Sequence, residues 1–247
     1  MSSGDTERAT VIVPTYKHQD YLRCSILSIL NSSIPVEVII VPVLSDQPTL
    51  EEIEHLNEVL AQFDRKVEII VSQKADVFHQ LQLGLDNVKT EYFCVMGSDD
   101  CVLPNMVEKM LSLADESKAE NPIVGLSIAF TDAKLNITSI HELEPFSLKH
   151  MMKGQGVIPD SSLVKTEKVR SVGGFTNGGR DFGYLSHFAM FHRLVKLPGT
   201  QVILSPEIGC LYRQLPTSRH LTRYSTPEGI RLHRKRAKEV ARYYRSD

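Results

Sequence analysis

Four times before Lys118 the chain repeats one pattern: a short apolar run, a polar loop, then a segment with apolar residues at helical spacing. The runs are residues 9–16 (Ala-Thr-Val-Ile-Val-Pro-Thr-Tyr), 36–41, 67–71 and 92–96. The helical segments carry Leu22, Ile26, Ile29 and Leu30, then Ile53, Leu56, Leu60 and Phe63, then Val77, Leu81, Leu85 and Val88, then Met106, Val107, Met110, Leu111 and Ala114. Apolar runs without polar alternation suit strands covered on both faces. Their alternation with helices predicts an α/β fold, Rossmann-like, with a mostly parallel sheet and helices on both faces. Right-handed crossovers then bring Thr15, Ser45 and Asp46, residues 72–74 and residues 97–100 to one sheet edge, where open α/β sheets bind ligands.

The loops at the strand ends narrow the ligand. Residues 14–18 (Pro-Thr-Tyr-Lys-His) contain no glycine, so neither the dinucleotide fingerprint nor a P-loop is present. Pro14 is expected to close the first strand, since it cannot donate to the ladder. The fourth run ends in Gly97-Ser98-Asp99-Asp100. Two carboxylates at the end of a buried strand are costly unless something compensates their charge. A divalent cation carrying a phosphate group would do so at Asp99, and Asp100 also suits a helix N-cap before Pro104.

The charge balance is -2, with 42% apolar and 23% charged residues, and gives no reason to expect nucleic-acid binding. Four cysteines without a CxxC pair read as free thiols in a reducing compartment. The polar opening residues lack a secretory core, and no run is long enough to span a membrane.

Beyond Lys118 the pattern changes. Residues 122–130 read as a strand, 132–140 as a turn with a hairpin, and 159–164 as a strand leading into a short helix. A glycine-rich segment, residues 172–181, precedes a helix over 182–196. Asp181 stands where that helix begins, as an N-cap or as a carboxylate able to accept a proton at the crevice rim. The tail is basic, and Ile230, His233, Ala237, Val240 and Tyr244 form one face of a last helix. Arg213 and Arg219 are candidates for a diphosphate, and the basic helix for an anionic membrane or glycan.

Taken together, residues 10–222 resemble the family-2 glycosyltransferases of GT-A fold. Residues 10–17 are similar to the family's opening strand, usually VSVIIPTYN, and residues 97–105 to its DxDD-x-x-x-P segment. Residues 162–175 resemble the acceptor-side segment ending in GGF. Asp181 falls where the ED motif places the catalytic base, and Tyr212-Arg213 resembles the late YR element. Some positions depart from the pattern. Gly97 replaces the first acid of DxD, Arg180 replaces the glutamate of ED, and Leu215 stands where a late histidine is usual. The DDGS at the second strand's end becomes Pro42-Val43-Leu44-Ser45-Asp46.

The resemblance implies an inverting, metal-dependent glycosyltransferase, hexosyltransferase-like, acting in polysaccharide or glycoconjugate synthesis. It would use a nucleotide-diphosphate sugar and Mg²⁺ or Mn²⁺ held by Asp99, with Asp181 as base. Pro14, Thr15, Tyr16, Asp46, Lys74, Ser98, Asp99 and Arg213 would bind the donor. Residues 1–118 would form the nucleotide-sugar half, 119–222 the acceptor half of the same domain, and 223–247 a basic C-terminal helix. The acceptor would be a glycan, lipid-linked or other hydroxyl. The protein would be cytoplasmic, with its basic helix able to touch the inner face of a membrane. Two alternatives stay open: a non-catalytic GT-A-like nucleotide-sugar or glycan binder, and a sugar nucleotidyltransferase.

Overall fold

The computed structural model describes residues 7–63, 65–155, 157–176, 185–215 and 226–244. The first half alternates β1 (Ala9–Thr15), α1 (Gln19–Leu30), β2 (Glu37–Pro42), α2 (Gln47–Leu60), β3 (Val67–Ile69), α3 (Val77–Asn87) and β4 (Tyr92–Val95). It continues through β5 (Cys101–Val102) and α4 (Met106–Ser117) into β6 (Asn121–Thr131) and β7 (Ile137–His141). Then come α5 (Leu148–Met151), β8 (Leu163–Lys165), α6 (Thr166–Ser171), α7 (Ser186–Leu194), β9 (Thr200–Arg213) and α8 (Pro227–Tyr243).

Among the described residues one nine-stranded sheet runs β3-β2-β1-β4-β8-β6-β9-β5, with β7 also on β6. β3, β2, β1 and β4 are mutually parallel. β8 is antiparallel to both β4 and β6, and β9 lies parallel to β6 along its whole length. The expected α/β fold with a mostly parallel sheet is therefore present. Pro14 does not close β1: it sits opposite Val41 and the strand continues to Thr15.

The continuous apolar runs are explained by two cores, one on each face. Val11 and Val13 of β1 join Ile26, Ile29, Ile53, Leu56, Met106 and Met110 on the face covered by α1, α2 and α4. Ile12, between them, joins Ile39, Leu81, Leu85, Phe93 and Phe191 on the face covered by α3 and α7. Each fully buried aliphatic side chain contributes roughly 1.5–3 kcal/mol, so both faces must be apolar for the strand to lie between two helical layers. β9 and the two-residue β5 were not expected. Pro206-Glu207 interrupts the apolar pattern of β9, and the ladder shifts register around Ser127.

The C-terminal part of the expected face of the last helix forms: Ala237 and Val240 of α8, with Tyr244 at its end, pack with Ala189 of α7 and with Leu185 just before it, while Ile230 and His233 are half-buried. The Tyr244 ring stacks on His192 at 6.0 Å, and Thr226 caps the helix by accepting the Gly229 N–H.

α3 approaches β1 closely at Gly84, where a Cβ would lie 2.6 Å from Cγ2 of Ile12. A glycine-to-alanine change in a helix ordinarily gains about 1 kcal/mol. Here overpacking should prevail, so Gly84→Ala is expected to destabilise the protein by roughly 1–3 kcal/mol in urea unfolding. A stabilised variant would show that α3 is free to move away from the sheet.

Candidate active site

The C-terminal ends of β1, β2 and β4 open onto one edge, and their exit loops are tied to each other. Asp46, after β2, is 5% exposed and its Oδ2 accepts the backbone N–H of Lys17, after β1. That bond supports the left-handed backbone of Lys17, φ 60°, a conformation uncommon outside glycine. Gln80 of α3 reaches between the same strands and donates to the carbonyls of Thr15 and Val41. Thr15 is buried, and its Oγ1 has no partner among the described residues.

The turn after β4 is held from both sides. From α1, Ser25 Oγ donates to the Gly97 carbonyl at 3.1 Å, and Ser28 Oγ accepts the Val102 N–H at 3.0 Å. From β9, the Arg213 N–H donates to Asp100 Oδ1 at 2.8 Å and its Nε to the Asp99 carbonyl at 2.7 Å. The guanidinium also donates to the Ala133 carbonyl and lies 4.7 Å from the Tyr21 ring centroid.

The two carboxylates consequently differ. Asp100 is buried, and desolvation together with the neighbouring charge of Asp99 pushes its carboxyl up to about 8. Asp99 keeps a side chain 16% exposed, with Oδ1 3.7 Å from His18 Nδ1. The same His18 nitrogen is 2.9 Å from Ser98 Oγ. Both carboxylates converge above Gly97: a Cβ there would meet Asp100 Oδ2 at 2.5 Å and Asp99 Oδ1 at 3.0 Å.

The expected donor-site residues separate into groups. Pro14, Thr15, Tyr16, Asp46, Ser98 and Asp99 lie together at the ends of β1, β2 and β4. Lys74 comes after β3, three strands from β4, and its N–H bonds to Ser72 Oγ. Arg213 meets the same turn from the opposite side, through the backbone of Asp99 and the carboxyl of Asp100. Asp100 does not cap α4, whose N-cap is Asn105. Asp181, Arg180 and Arg219 lie outside the described residues.

Gly173 and Gly174 have φ of 84° and 57° and end α6. A Cβ at Gly174 would collide with Gln82 Oε1, and Phe175 is buried against Phe93 and His187. The start of the glycine-rich segment is thus a packed corner, where the glycines serve left-handed backbone and close approach. Gln80, Ser25, Ser28 and His18 were not anticipated. Gln80 carried a signal, since a polar residue falls beside the apolar stripe Val77, Leu81, Leu85.

Asp100 gives a pH test. Its folded pKa lies above the unfolded value of 3.8, so its contribution to stability is full below 3.8 and is lost as pH rises through about 8. An asparagine can still accept the Arg213 N–H. In EDTA, the stability of Asp100→Asn relative to wild type is expected to increase from pH 4 to pH 8. Parallel melting curves across that range would mean the carboxyl is already ionised in the folded state.

Comparison with known proteins adds to this geometry. The family model described as Glycosyl transferase family 2 matches residues 10–171. An uncharacterized glycosyltransferase of Haemophilus influenzae is 29% identical over 110 residues, 44% of this chain and 33% of that protein. The minor teichoic acid biosynthesis protein GgaB of Bacillus subtilis is 29% identical over 126 residues, 51% of this chain and 14% of that protein. The matched region therefore spans a third or less of the length of these relatives. Residues 1–349 of S. aureus TarS in complex with UDP-GlcNAc superpose with a TM-score of 0.64 at 13% identity, over 92% of this chain and 65% of that one. The Pyrobaculum calidifontis mannosyltransferase PcManGT, in complex with GDP-Man and Mn²⁺, gives 0.63 at 16% identity, over 97% and 74%. With its sheet order, its strand-end crevice and a family match covering more than half its length, the chain has the GT-A fold and belongs to glycosyl transferase family 2.

Proposed function

We propose that the protein transfers a sugar, with inversion, from a nucleotide-diphosphate donor to an acceptor hydroxyl in polysaccharide or glycoconjugate synthesis. The observation that carries this reading is the pair of carboxylates converging above Gly97, with Asp99 partly exposed beside the buried ends of β1 and β2. The structural neighbours bound to UDP-GlcNAc and to GDP-Man with Mn²⁺ support the donor class. A nucleotide lying along this edge would meet Pro14, Thr15, Tyr16 and Asp46, with Ser98 and Asp99 at its diphosphate end and Lys74 at the far margin. The buried Thr15 Oγ1 is suited to a donor atom.

The site fits a divalent cation. Carboxylate oxygens are hard ligands, the Asp99 side chain is partly open to solvent, and the space above Gly97 lies between it and Asp100. Among the described residues no group of three or more His, Cys, Asp or Glu could hold a metal, so Asp99 would share the ion with the donor and water. Mg²⁺ or Mn²⁺ bound there would neutralise charge on the diphosphate leaving group. Arg213 contributes by fixing the Asp99 backbone, and Asp181 would take the proton from the attacking hydroxyl. Residues 1–118 would serve the donor and 119–222 the acceptor.

One observation favours a second, non-catalytic reading as a nucleotide-sugar or glycan binder. Gly97 supplies no acid, and Asp100 is already satisfied by Arg213. Two variants separate the readings. Asp99→Ala should abolish the Mn²⁺-dependent thermal shift given by UDP or GDP, a shift worth roughly 2.7 kcal/mol at a hundredfold excess over Kd. Asp181→Asn should keep that shift and lower sugar transfer by at least about a hundredfold. A wild type that binds nucleotide without transfer to any acceptor would leave only the binder.

The basic helix belongs to the same proposal. Arg231, Arg234, Lys235, Lys238 and Arg242 of α8 are all exposed, with Leu232 also exposed and the apolar face buried on α7. Among the described residues no helix is long and apolar enough to cross a membrane. This surface suits peripheral contact with an anionic cytoplasmic leaflet, where each cation contributes about 1 kcal/mol. The double variant Lys235→Glu, Lys238→Glu is expected to lose at least about tenfold in sedimentation with phosphatidylserine vesicles. Unchanged sedimentation would remove α8 from that role.

A further inference from the structure

The geometry points to Cys24 and Cys101 as a redox-modification site, a dithiol that closes to an intramolecular disulfide beside the donor turn. Their Sγ atoms are 3.2 Å apart, although the residues are far apart in sequence and lie on α1 and β5. The four cysteines are not equivalent. Cys94, Cys101 and Cys210 are buried, and Cys24 is exposed. One sulfur is thus reachable by a small oxidant, and its neighbour is shielded and already in contact.

The surrounding framework holds the pair in this register. Ser25, next to Cys24, bonds to the Gly97 carbonyl, and Ser28 accepts the N–H of Val102, next to Cys101. These two bonds fasten α1 to the chain on either side of Cys101, at Gly97 and Val102. A disulfide has an S–S length of about 2.0 Å, so closure requires an approach of only about 1.2 Å.

The chemistry balances with a peroxide as oxidant. The Cys24 sulfur attacks the O–O bond, becoming a sulfenic acid and releasing one water. The Cys101 sulfur then displaces the sulfenic hydroxyl, which leaves as a second water with the Cys101 proton. Two sulfurs are oxidised and one peroxide is reduced to two waters. A small dithiol reverses the reaction.

Closure acts on the turn carrying Asp99. Cys101 comes directly after Asp100, and its Sγ is 4.0 Å from Nη2 of the same Arg213 that holds the Asp99 carbonyl. Joining Cys101 to Cys24 adds a covalent tether between α1 and the turn. Describing the turn as a donor turn rests on the proposed function, whereas the disulfide and its tether do not.

The test treats the full chain with hydrogen peroxide and maps its peptides without reduction. The expected product is a Cys24–Cys101 linked peptide, about 2 Da lighter than the two thiols, reversed by dithiothreitol, with Cys94 and Cys210 unmodified. Hydrogen exchange of the amides of residues 98–102 should slow several-fold in the oxidised protein. Cys101→Ser should instead leave Cys24 trapped as a dimedone-reactive sulfenic acid. The proposal is overturned if wild-type Cys24 accumulates as the dimedone adduct with Cys101 still free, or if the linked peptide forms without any change in exchange. Both readouts are independent of nucleotide binding, so they are unaffected if the glycosyltransferase reading fails.

Discussion

The crevice depends on the way Arg213 is used. A guanidinium on a residue only 5% exposed must have its donors satisfied, and two of them are met by the carbonyls of Asp99 and Ala133. Its own backbone N–H goes to Asp100. Arg213 therefore joins the end of β9 to the turn after β4, elements separated by more than a hundred residues of chain. Without this latch the turn would be held from α1, by Ser25 and Ser28. Burying a carboxyl at Asp100 is tolerable for the same reason: one oxygen has a firm donor, and burial with the neighbouring Asp99 charge shifts the group toward its neutral form.

The other wall of the crevice uses the same principle with different groups. Asp46 is buried, and it accepts from a backbone N–H that would otherwise be left over by the left-handed turn at Lys17. Gln80 donates its side-chain amide to the carbonyls of Thr15 and Val41 at the paired ends of β1 and β2, satisfying both. Strand-end loops of an open sheet are usually its most mobile parts. Here polar side chains from α1, α3 and β9 fix three of them relative to one another. Such rigidity is what a site needs if it is to meet a flexible, highly charged ligand without first ordering itself.

The first four strands and their helices were legible in the sequence because burial on both faces leaves little choice of residue. β9 was not, although it is the longest strand among the described residues. Pro206 and Glu207 break its pattern, and a bulge against β6 around Ser127 absorbs the irregularity, which only the partner strand reveals. At the site, Asp99 could be placed from its position at a strand end. Arg213 was read as a candidate for a diphosphate, and its place at the Asp99 turn, with the guanidinium on backbone carbonyls, depends on β9 and the loop at Ala133, which no local pattern encodes. Ser25 and Ser28 were passed over because serine on a helix reads as surface. Ser25 nevertheless lies one turn from Leu22 and Ile29, on the inward stripe.

Gly97 has a structural reason as well as a family comparison. Relatives of this kind usually carry an acid at the first position of the motif, and here the space that side chain would occupy is bounded by the oxygens of Asp99 and Asp100. Any side chain at 97 would press on Asp100 Oδ2 and Asp99 Oδ1 and oblige those carboxyls to shift, whereas the Arg213 N–H is held by the other Asp100 oxygen, Oδ1. For the proposed donor, one accessible carboxylate with the second drawn back into the fold would present less negative charge than two exposed ones.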